Sequence, residues 1–549
     1  MMSRMGLYFR TLRHLRLAQI TGQIRVRWQK KFRDPAKVLR KAPGWKFSNH
    51  GGDLSLSSPV PAQDPRALAK GVFFFIKEEK SLGCPIDWEA GEMPRLWKYN
   101  LHYFDWLWSL LPKEGGDLET AKRVVRDWME NHPASGAACG WEPYPTSLRL
   151  MNWALLFGVR YREALQDDDD FCQAFLASMA RQIKWLELNL ETHIQANHLL
   201  ENLAALTCVG SVLQGEACQA LLAKMLPLLK REIDEQILDD GLHYERSPMY
   251  HLRVLWLVEM LGAVGNREVQ GIVAGVGERM KQALAKVRHP DGGIAQFNDA
   301  VLGIYEDSWR SKAEGGSWSL PEAGYYGYRN EEGDYLAIDA GAIGPNYQPG
   351  HAHADLLSFE LSLAGTRVIT DTGVGTYDAG ALRKSDRASA AHNTLEIAGE
   401  NSVEVWGSFR VGRRVEPALL EWDPRPEGLR LSAEHRGYAH LRGKPVHRRT
   451  FAWLNRELII TDHVTTSEPV TVAIRFHFAP GVSLEGQGKR VEASFQGGQF
   501  SMETEGPGDL SQESSLAHPT FGAGLERPLV IIRATTSQPT TGWVTRIRW

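Results

Sequence analysis

The spacing of hydrophobic residues along the chain changes near residue 290. Before that point, apolar residues recur every three to four positions, the spacing of amphipathic helices. The pattern predicts helices over residues 121–129, 146–156, 171–190, 199–213 and 250–261. Because helix follows helix with no strand between them, this half is expected to be an all-α domain.

Beyond residue 290 the period shortens to two. From Thr471 to Phe478, apolar residues alternate with polar or small ones, which is typical of a half-buried strand. Similar runs occur at 335–338, 357–363, 367–370, 458–461 and 529–533. Since Gly and Pro interrupt these runs at short intervals, the second half is expected to be a large antiparallel β-sandwich. The Gly-, Ser- and Gln-rich stretch 480–528 is expected to form loops.

The chain therefore divides into three predicted parts: a basic amphipathic segment (1–45), a helical domain (46–290) and a β-sandwich domain (291–549). The first segment mixes Arg and Lys with apolar residues, which favours a helix packed on the protein body. Peripheral contact with an anionic membrane surface or polysaccharide is the alternative. No cleavable signal peptide is recognised, because an uninterrupted apolar stretch and a small-residue cleavage site are missing. The compartment stays open, with the cytoplasm as default and the periplasm as alternative.

Composition excludes several classes of function. The formal net charge of −3 provides no global basic field for nucleic acid. The five cysteines lack CxxC spacing, which argues against a disulfide scaffold and a thiolate zinc cluster. No apolar run approaches the roughly 18 residues of a membrane span.

A first cluster of candidate residues opens an apolar helix with Asn197, His198 and Glu201. The three- and four-residue spacing places these side chains on one helical face. A capped helix start with a hydrogen-bonded, buried histidine explains the same pattern, because His-x-x-Glu is a weak motif.

A second candidate is Tyr250. Ser247 and Pro248 predict a helix start, since Ser caps helices and Pro suits the first turn. Tyr250 then falls in that turn, where its phenol can exchange a proton if neighbouring cations lower its pKa. An ordinary core tyrosine is the alternative.

The most informative pattern is His351-x-His353, followed by Asp371 at a strand end and later by His392. In an extended chain both histidines of the first pair point to one side. Imidazoles with one carboxylate are the ligand set that zinc prefers. The alternative is a pair of surface histidines with an unrelated turn aspartate.

Aromatic residues concentrate in the helical half, with polar residues among them. Aromatic faces stack on sugar rings, while Arg and Asn bind carboxylates and hydroxyls. Ordinary packing between helices is the competing explanation. The residues selected as candidate sugar contacts are Tyr99, Asn100, His102, Trp141, Arg149 and Asn152.

Together these segments resemble the heparinase II/III-like family of polysaccharide lyases, over roughly residues 95–480. The matching pieces are Asn197-His198-x-x-Glu201, the Tyr250 segment, His351-x-His353, Asp371, residues 391–394 (AHNT), residues 99–105 (YNLHYFD) and residues 141–145 (WEPYP). The resemblance implies an (α/α) toroid of helical hairpins followed by an antiparallel β-sandwich, with the cleft between them. It also implies β-elimination on an acidic, uronate-containing polysaccharide.

The same resemblance suggests residue roles. Asn197 matches the family's amide that neutralises the uronate carboxylate, and Glu201 is able to share that role if protonated. Tyr250 matches its acid/base tyrosine. His198 and His351 match its catalytic histidines, either as the base or as groups that keep Tyr250 reactive.

His353, Asp371 and His392 match the family's metal ligands, and the expected cofactor is one structural zinc ion. The expected partner is an acidic polysaccharide. Because this sequence lacks the recognisable signal peptide of secreted members, a bacterial exopolysaccharide or glycosaminoglycan-like glycan fits better than exogenous heparin.

Three alternatives remain open. An amidohydrolase-like metal hydrolase also uses His-x-His, but in a βα barrel whose strand–helix alternation is missing here. A glycoside hydrolase would use paired carboxylates on a helical toroid. A non-catalytic glycan-binding protein of polysaccharide assembly would use the same cleft without turnover.

Overall fold

The computed structural model describes residues 4–32, 45–48, 54–132, 138–264, 266–306, 309, 313–536 and 539–549. Its long helices lie before residue 290 and its large antiparallel sheets after residue 315. The predicted fold class, a helical half followed by an antiparallel β half, is confirmed.

The helices are α1 (Arg4–Leu12), α2 (Leu17–Phe32), α3 (Pro65–Ala69), α4 (Arg95–Tyr103), α5 (Leu107–Leu110), α6 (Leu118–Asn131), α7 (Pro143–Leu155), α8 (Arg162–Gln166), α9 (Asp169–Leu188), α10 (Ala196–Val212), α11 (Glu216–Gln236), α12 (Pro248–Ala263), α13 (Arg267–Val273), α14 (Val276–Lys286) and α15 (Ala381–Asp386).

The strands are β1 (Lys46–Phe47), β2 (Val72–Phe75), β3 (Glu78–Ser81), β4 (Leu213–Gln214), β5 (Gly316–Leu320), β6 (Tyr325–Arg329), β7 (Tyr335–Asp339), β8 (Phe359–Leu363), β9 (Thr366–Ile369), β10 (Leu395–Ile397), β11 (Val405–Trp406), β12 (Arg410–Val411), β13 (Ala418–Arg425), β14 (Gly428–His435), β15 (Val446–Leu454), β16 (Glu457–Thr465), β17 (Thr471–His477), β18 (Ser483–Gln487), β19 (Arg490–Phe495), β20 (Gly498–Glu505), β21 (Leu510–Ala517), β22 (Leu525–Thr535) and β23 (Thr540–Arg548).

The helical half is held together by apolar and aromatic packing. Helix α10 packs against α7 and α11, and its mostly apolar sequence fits a helix enclosed by neighbours. Trp97, Trp106, Trp128 and Trp153 are almost fully buried in the same core. Each such ring removes about 150–250 Å² of surface from water, so this cluster is a main stabilising element of the half that carries α10.

Short strands interrupt the helical half, which differs from the expected all-α pattern. Strands β2 and β3 form an antiparallel hairpin, and β1 pairs with β4. In β2, Phe73 and Phe75 are buried while Phe74 between them is exposed. That period of two is the strand pattern, but four residues are too few for it to stand out in the sequence.

The β half contains three main antiparallel sheets. The first has the order β5-β6-β7-β8-β9, the second β10-β17-β22-β21, and the third β13-β14-β15-β16-β23-β20-β19-β18. Apolar residues from all three sheets share one buried core, including Phe359, Phe451, Phe476 and Trp543. The connection from β7 to β8 spans residues 340–358, and the connection from β9 to β10 spans residues 370–394.

The expectation of loops over residues 480–528 is wrong, because β18 to β21 occupy most of this stretch. In β19, Val491 and Ala493 point into the core, and in β20 Phe500 and Met502 do the same. The buried face is apolar, but Gly and Ser between these residues hide the alternation in the sequence.

Two helices precede the predicted helical domain. Helices α1 and α2 contact both halves through Arg10, which pairs with Glu404, and Arg16, which pairs with Glu235. Among the described residues, no helix combines the length and apolarity needed to cross a bilayer.

Candidate active site

A cavity of about 690 Å³ lies where the helical and β halves meet. Asn197, His198 and Tyr250 from the helical half line it, and His351 from the β half lines the opposite side. The structure therefore brings four of the five predicted catalytic residues into one cavity. Aromatic residues form much of the remaining wall, including Phe74, Tyr99, Tyr103, Tyr144, Tyr305, Tyr377, Phe409 and Phe521.

Asn197 lies at the start of α10, after an unusual turn. Gln195 and Ala196 have positive φ angles of 64° and 53°. Residues with a Cβ in this conformation cost about 1–3 kcal/mol each, and such strain clusters at functional sites. Within the described part of the chain, the Asn197 amide makes no side-chain hydrogen bond, so it is available to a ligand in the cavity.

His198 is held beside the cavity by a carboxylate. Its Nδ1 lies 3.1 Å from Glu191 Oε1, and its ring lies 4.5 Å from the Tyr144 ring. Burial alone lowers the pKa of His198, but the attraction of Glu191 outweighs burial and raises it above its usual value. His198 is thus suited to carry positive charge next to an anionic ligand.

Tyr250 lies in the first turn of α12, as the sequence predicted. Ser247 caps this helix by accepting a hydrogen bond from the Tyr250 backbone N–H, and Pro248 is its first residue. The Tyr250 hydroxyl lies 3.1 Å from the Tyr377 hydroxyl, and its ring centroid lies 3.9 Å from that of the His351 ring, with the two planes tilted by 31°. These contacts fix the phenol at the cavity wall.

Cations do not lower the pKa of Tyr250 in the structure, so that condition for proton exchange is not met there. Burial raises the pKa of Tyr250 well above 10, and the neighbouring Tyr377 raises it further. Without a ligand the phenol is therefore a protonated hydrogen-bond donor rather than a base.

His351 is oriented by Asp299. Its Nδ1 lies 2.8 Å from Asp299 Oδ2, and because a carboxylate only accepts, Nδ1 carries the proton and Nε2 keeps its lone pair. Burial lowers the pKa of His351, only partly opposed by Asp299. Arg383 binds both oxygens of Asp299, which holds the pKa of this buried carboxyl well below its usual range despite burial. His351 is thus a neutral imidazole with one free lone pair.

Glu201 does not line the cavity. Its two oxygens accept hydrogen bonds of 2.6 and 2.9 Å from Arg253, and neither side chain is more than 1% exposed. Burial opposes the charge of Arg253, but Glu201 overcomes it and raises the pKa of the guanidinium above its ordinary value. The expected role of Glu201 at the substrate is therefore not supported by its position; the residue forms a buried ion pair behind the wall.

Only two of the six predicted sugar contacts, Tyr99 and Asn100, line the cavity. His102 lies next to Trp88 O and Trp128 Nε1 in the helical core. The other three are also buried, within 0–2% exposure: Trp141, Arg149 and Asn152. These four side chains are buried and have no surface to offer a sugar. Their polar atoms bond to partners inside the helical domain.

Three residues that the sequence did not single out also belong to the site. Asp299 orients His351, and Tyr377 contacts Tyr250. Glu245 lines the cavity, is 3% exposed, and has a buried Oε2 without a hydrogen-bond partner among the described residues. Burial, assisted by the charge of Asp299, raises the pKa of Glu245 to about 8, so near neutrality it is a carboxylic acid able to donate a hydrogen bond.

The three predicted metal ligands lie behind His351. His353 Nε2 lies 2.8 Å from Asp299 Oδ1, and His392 Nδ1 lies 2.8 Å from Asp371 Oδ2. Each carboxylate fixes a proton on the nitrogen that it binds, so a neutral ring carries its lone pair on His353 Nδ1 or His392 Nε2. Both of these nitrogens are buried without a hydrogen-bond partner in the described part of the chain. Burial lowers the pKa of His353, whereas Asp371 outweighs burial and raises the pKa of His392, so a metal at His392 has to displace a proton.

Two such imidazole nitrogens suit zinc, and the two rings lie 5.3 Å apart. Asp371 is engaged with His392 instead of presenting a third donor. Across the described residues, no group of three or more His, Cys, Asp or Glu is arranged to hold a metal ion. The two imidazole nitrogens are thus donor atoms of the type that zinc binds, but Asp371 is not placed as a third ligand.

Two family models together match nearly the whole chain. The model described as "Heparinase II/III N-terminus" matches residues 50–319, and "Heparinase II/III-like, C-terminal" matches residues 312–549. The chain belongs to the heparinase II/III-like family. The resemblance inferred from the sequence motifs is confirmed.

The chain is also similar to curated proteins at low sequence identity. FtsZ-localized protein C of Caulobacter vibrioides is 26% identical over 377 residues, covering 65% of this chain and 63% of that protein. A heparin-sulfate lyase of Pedobacter heparinus is 25% identical over 416 residues, covering 65% of this chain and 61% of the relative. The matches thus span less than two thirds of the length of either relative.

Solved structures share the fold. The crystal structure of a heparinase III superposes with a TM-score of 0.75 at 17% identity, covering 91% of this chain and 87% of that chain. At this level of identity the likeness establishes the architecture, whereas function depends on the side chains in the cavity.

Proposed function

We propose that this protein is a polysaccharide lyase that cleaves an acidic, uronate-containing glycan by β-elimination. The observation that carries the proposal is the convergence of the Asn197 amide, the Tyr250 phenol and the His351 imidazole on one cavity. Family membership supports it, and so does the name of the Pedobacter heparinus relative, a heparin-sulfate lyase.

The chemistry needs a group that lowers the charge on the uronate carboxylate before the neighbouring C5 proton is removed. We assign this task to Asn197 and His198, which line the cavity at the start of α10 and carry N–H groups that can donate to a carboxylate. Glu245, with its pKa raised to about 8, is suited to donate a third as a carboxylic acid. Because Glu201 is occupied by Arg253, Glu245 replaces it in this role.

His351 is then the base. Its Nε2 lone pair takes the C5 proton, and the electrons of that bond move into the enolate of the carboxylate. The enolate collapses to a C4–C5 double bond as the C4–O bond breaks, and Tyr250 donates its proton to the leaving oxygen. His351 then holds the abstracted proton and Tyr250 is a phenolate, and transfer of that proton from the imidazolium to the phenolate restores both groups. The two ring centroids lie 3.9 Å apart, so the transfer is short.

The substrate is proposed to carry carboxylates but no sulfates. Among the described residues that line the cavity, the cationic side chains besides the histidines are Lys77 and Arg95, whereas Asp105, Glu245 and Asp378 are acidic. Arg95 is already bound by Glu142 at 2.6 and 2.8 Å. A sulfated chain needs a cluster of uncommitted cations, so an unsulfated bacterial exopolysaccharide or glycosaminoglycan-like glycan fits this largely aromatic cavity better.

The test is incubation of the purified protein with unsulfated and sulfated uronate polymers, followed by mass spectrometry of the fragments. A lyase produces an unsaturated end that absorbs ultraviolet light, and we expect this product from an unsulfated polymer. Fragments with saturated ends would indicate a glycoside hydrolase, and binding without fragments would indicate a glycan-binding protein of polysaccharide assembly. Either result refutes the lyase proposal.

We also propose one structural zinc ion, bound through His353 and His392, with Asp371 as the predicted third ligand. The two imidazole nitrogens left unpartnered among the described residues support the proposal. Bound zinc would crosslink the chain around residue 353 to that around residue 392 and thereby hold His351 in place.

Elemental analysis of the purified protein tests this assignment. We expect one zinc per chain in the wild type, loss of the metal and a lower melting temperature in His392→Ala, and no change in the control variant of the exposed His440, His440→Ala. Absence of stoichiometric zinc from the wild type, or normal folding of His392→Ala, would contradict it.

A further inference from the structure

The amino-terminal helices carry an exposed apolar surface that the cleft chemistry does not use. In α1, Met5, Phe9 and Leu12 are 80%, 68% and 52% exposed, at spacings of four and three residues. Eight of the sixteen large hydrophobic residues exposed among the described residues lie between positions 5 and 28. Such concentration on one short segment marks an interaction surface, whereas single exposed apolar residues are ordinary.

Helix α2 repeats the pattern. Leu17, Ile20 and Ile24 are 79%, 44% and 65% exposed, at spacings of three and four residues, so they lie along one face. The opposite face is buried: Gln19 is 2% exposed, and a Cβ on Gly22 would lie 3.0 Å from His193 Cβ. The outward apolar stripe is therefore not a consequence of a loosely attached helix.

The inner faces of both helices are tied to the protein. Arg10 binds Glu404 in the β half through two hydrogen bonds of 2.6 and 2.7 Å. The Arg16 guanidinium lies 3.5 Å above the Tyr347 ring, and Gln19 donates to the Tyr347 carbonyl at 3.2 Å. Tyr347 lies four residues before His351, which lines the cleft. Hence α1 and α2 present their apolar stripes at a fixed position relative to the cleft.

Charge identifies the partner. The first 33 residues contain nine Lys and Arg and no Asp or Glu, whereas the whole chain has a net charge of −3. A second copy of this surface would bring like charges together, which opposes self-association. An acidic glycan would satisfy the cations but offers no hydrocarbon to the stripe. An anionic lipid bilayer satisfies both, since its headgroups are negative and its acyl boundary is apolar.

We propose that the outer face of α1 and α2, formed by Met5, Phe9, Leu12, Leu17, Ile20 and Ile24 with flanking arginines, docks on an anionic lipid bilayer. The apolar stripe enters the boundary between headgroups and acyl chains, and the arginines contact the lipid phosphates. Docking in this way holds the cleft at a fixed distance and orientation from the membrane surface. The docking is independent of the lyase proposal and is measured without a glycan.

The test is co-sedimentation of the full-length protein with vesicles. We expect sedimentation with equal parts phosphatidylglycerol and phosphatidylcholine, and little with phosphatidylcholine alone. The triple variant Leu12→Gln, Leu17→Gln, Ile24→Gln should lower the partition coefficient by about tenfold per residue. Separately, Arg13→Gln with Arg27→Gln should lower it by about fivefold per arginine, because each cation near the surface contributes about 1 kcal/mol.

The matched control substitutes Gln at three similarly exposed leucines elsewhere, Leu420, Leu454 and Leu525, which are 46%, 53% and 46% exposed. This control should sediment like the wild type, and all variants should keep the wild-type circular dichroism spectrum and melting temperature. Three results would each overturn the proposal: no sedimentation with the anionic vesicles, unchanged sedimentation of the triple Gln variant, or a wild-type dimer that the same variant converts to monomer.

Discussion

The buried ion pair of Glu201 and Arg253 allows a structural role of Glu201 to be distinguished from a catalytic one. Substituting Glu201→Gln keeps the shape of the side chain but removes its charge. The guanidinium that it binds is 1% exposed, so no water can replace the lost partner. Breaking a buried ion pair in this way costs about 3–5 kcal/mol, because an uncompensated charge remains inside the protein.

A melting experiment measures this cost. Since 1 kcal/mol shifts the melting temperature of a domain of about 150–250 residues by about 2–4 °C, Glu201→Gln should melt about 6–20 °C below the wild type. The double variant Glu201→Leu, Arg253→Met removes both charges and should be more stable than Glu201→Gln. The surface pair of Lys230 and Asp234, whose side chains are 61% and 59% exposed, provides the control: Asp234→Asn should lose no more than about 0.5 kcal/mol.

The decisive comparison is between stability and turnover. If Glu201→Gln melted within about 1 °C of the wild type and yet lost turnover on a uronate polymer, the burial argument would be refuted. Glu201 would then have to reach the substrate, as the family resemblance suggested. If the double variant were less stable than Glu201→Gln, the ion pair would stabilise the fold by more than the neutralisation of one buried charge by the other.

Three further predictions concern the cavity. Tyr250→Phe removes the proton donor and should lower turnover by at least about 100-fold while calorimetry shows unchanged glycan binding; near-normal turnover would contradict its assignment. Asp299→Asn removes the acceptor that fixes the His351 proton and should lower kcat more than it changes KM, whereas an unchanged kcat would show that His351 needs no orienting group. Glu245 has its pKa raised by burial to about 8 from 4.5, so the folded state holds a proton that the unfolded chain has released. Its contribution to stability is present below pH 4.5 and is lost as the pH rises through about 8, so the melting temperature should decline over that range. Glu245→Gln should flatten the decline. Identical pH profiles of variant and wild type would show that Glu245 is ionised in the folded protein.

Local patterns made much of the fold predictable. The predicted helix over 250–261 became Pro248–Ala263, because Ser247 and Pro248 mark its start. The strand predicted from Thr471 to Phe478 is observed over Thr471–His477. The helix and the strand both depend on residues that are neighbours in sequence, and the spacing of hydrophobic residues therefore predicts them directly.

The candidate site was predictable only in part, because partners distant in sequence decide it. Asn197, Tyr250 and His351 were found from their motifs, but nothing near Glu201 reveals an arginine 52 residues away that occupies its carboxylate. Arg149 is a similar case, since a sugar-binding side chain and a buried one look alike until the helices around it are placed. No sequence motif marks Glu245, which is unusual only because the fold buries its carboxyl group.

The division of the cavity between two halves of the chain has a consequence for how activity can be altered. Asn197 and Tyr250 belong to the helical half, and His351 and Tyr377 belong to the β half. A small rotation between the two halves would change every distance across the cleft at once. A crosslink or substitution far from the cleft could therefore abolish activity without touching a reactive group. Chimeras that join halves from two parent proteins would depend on the same distances. Their activity would require a matched interface between the helical and β halves as well as the motifs of each half.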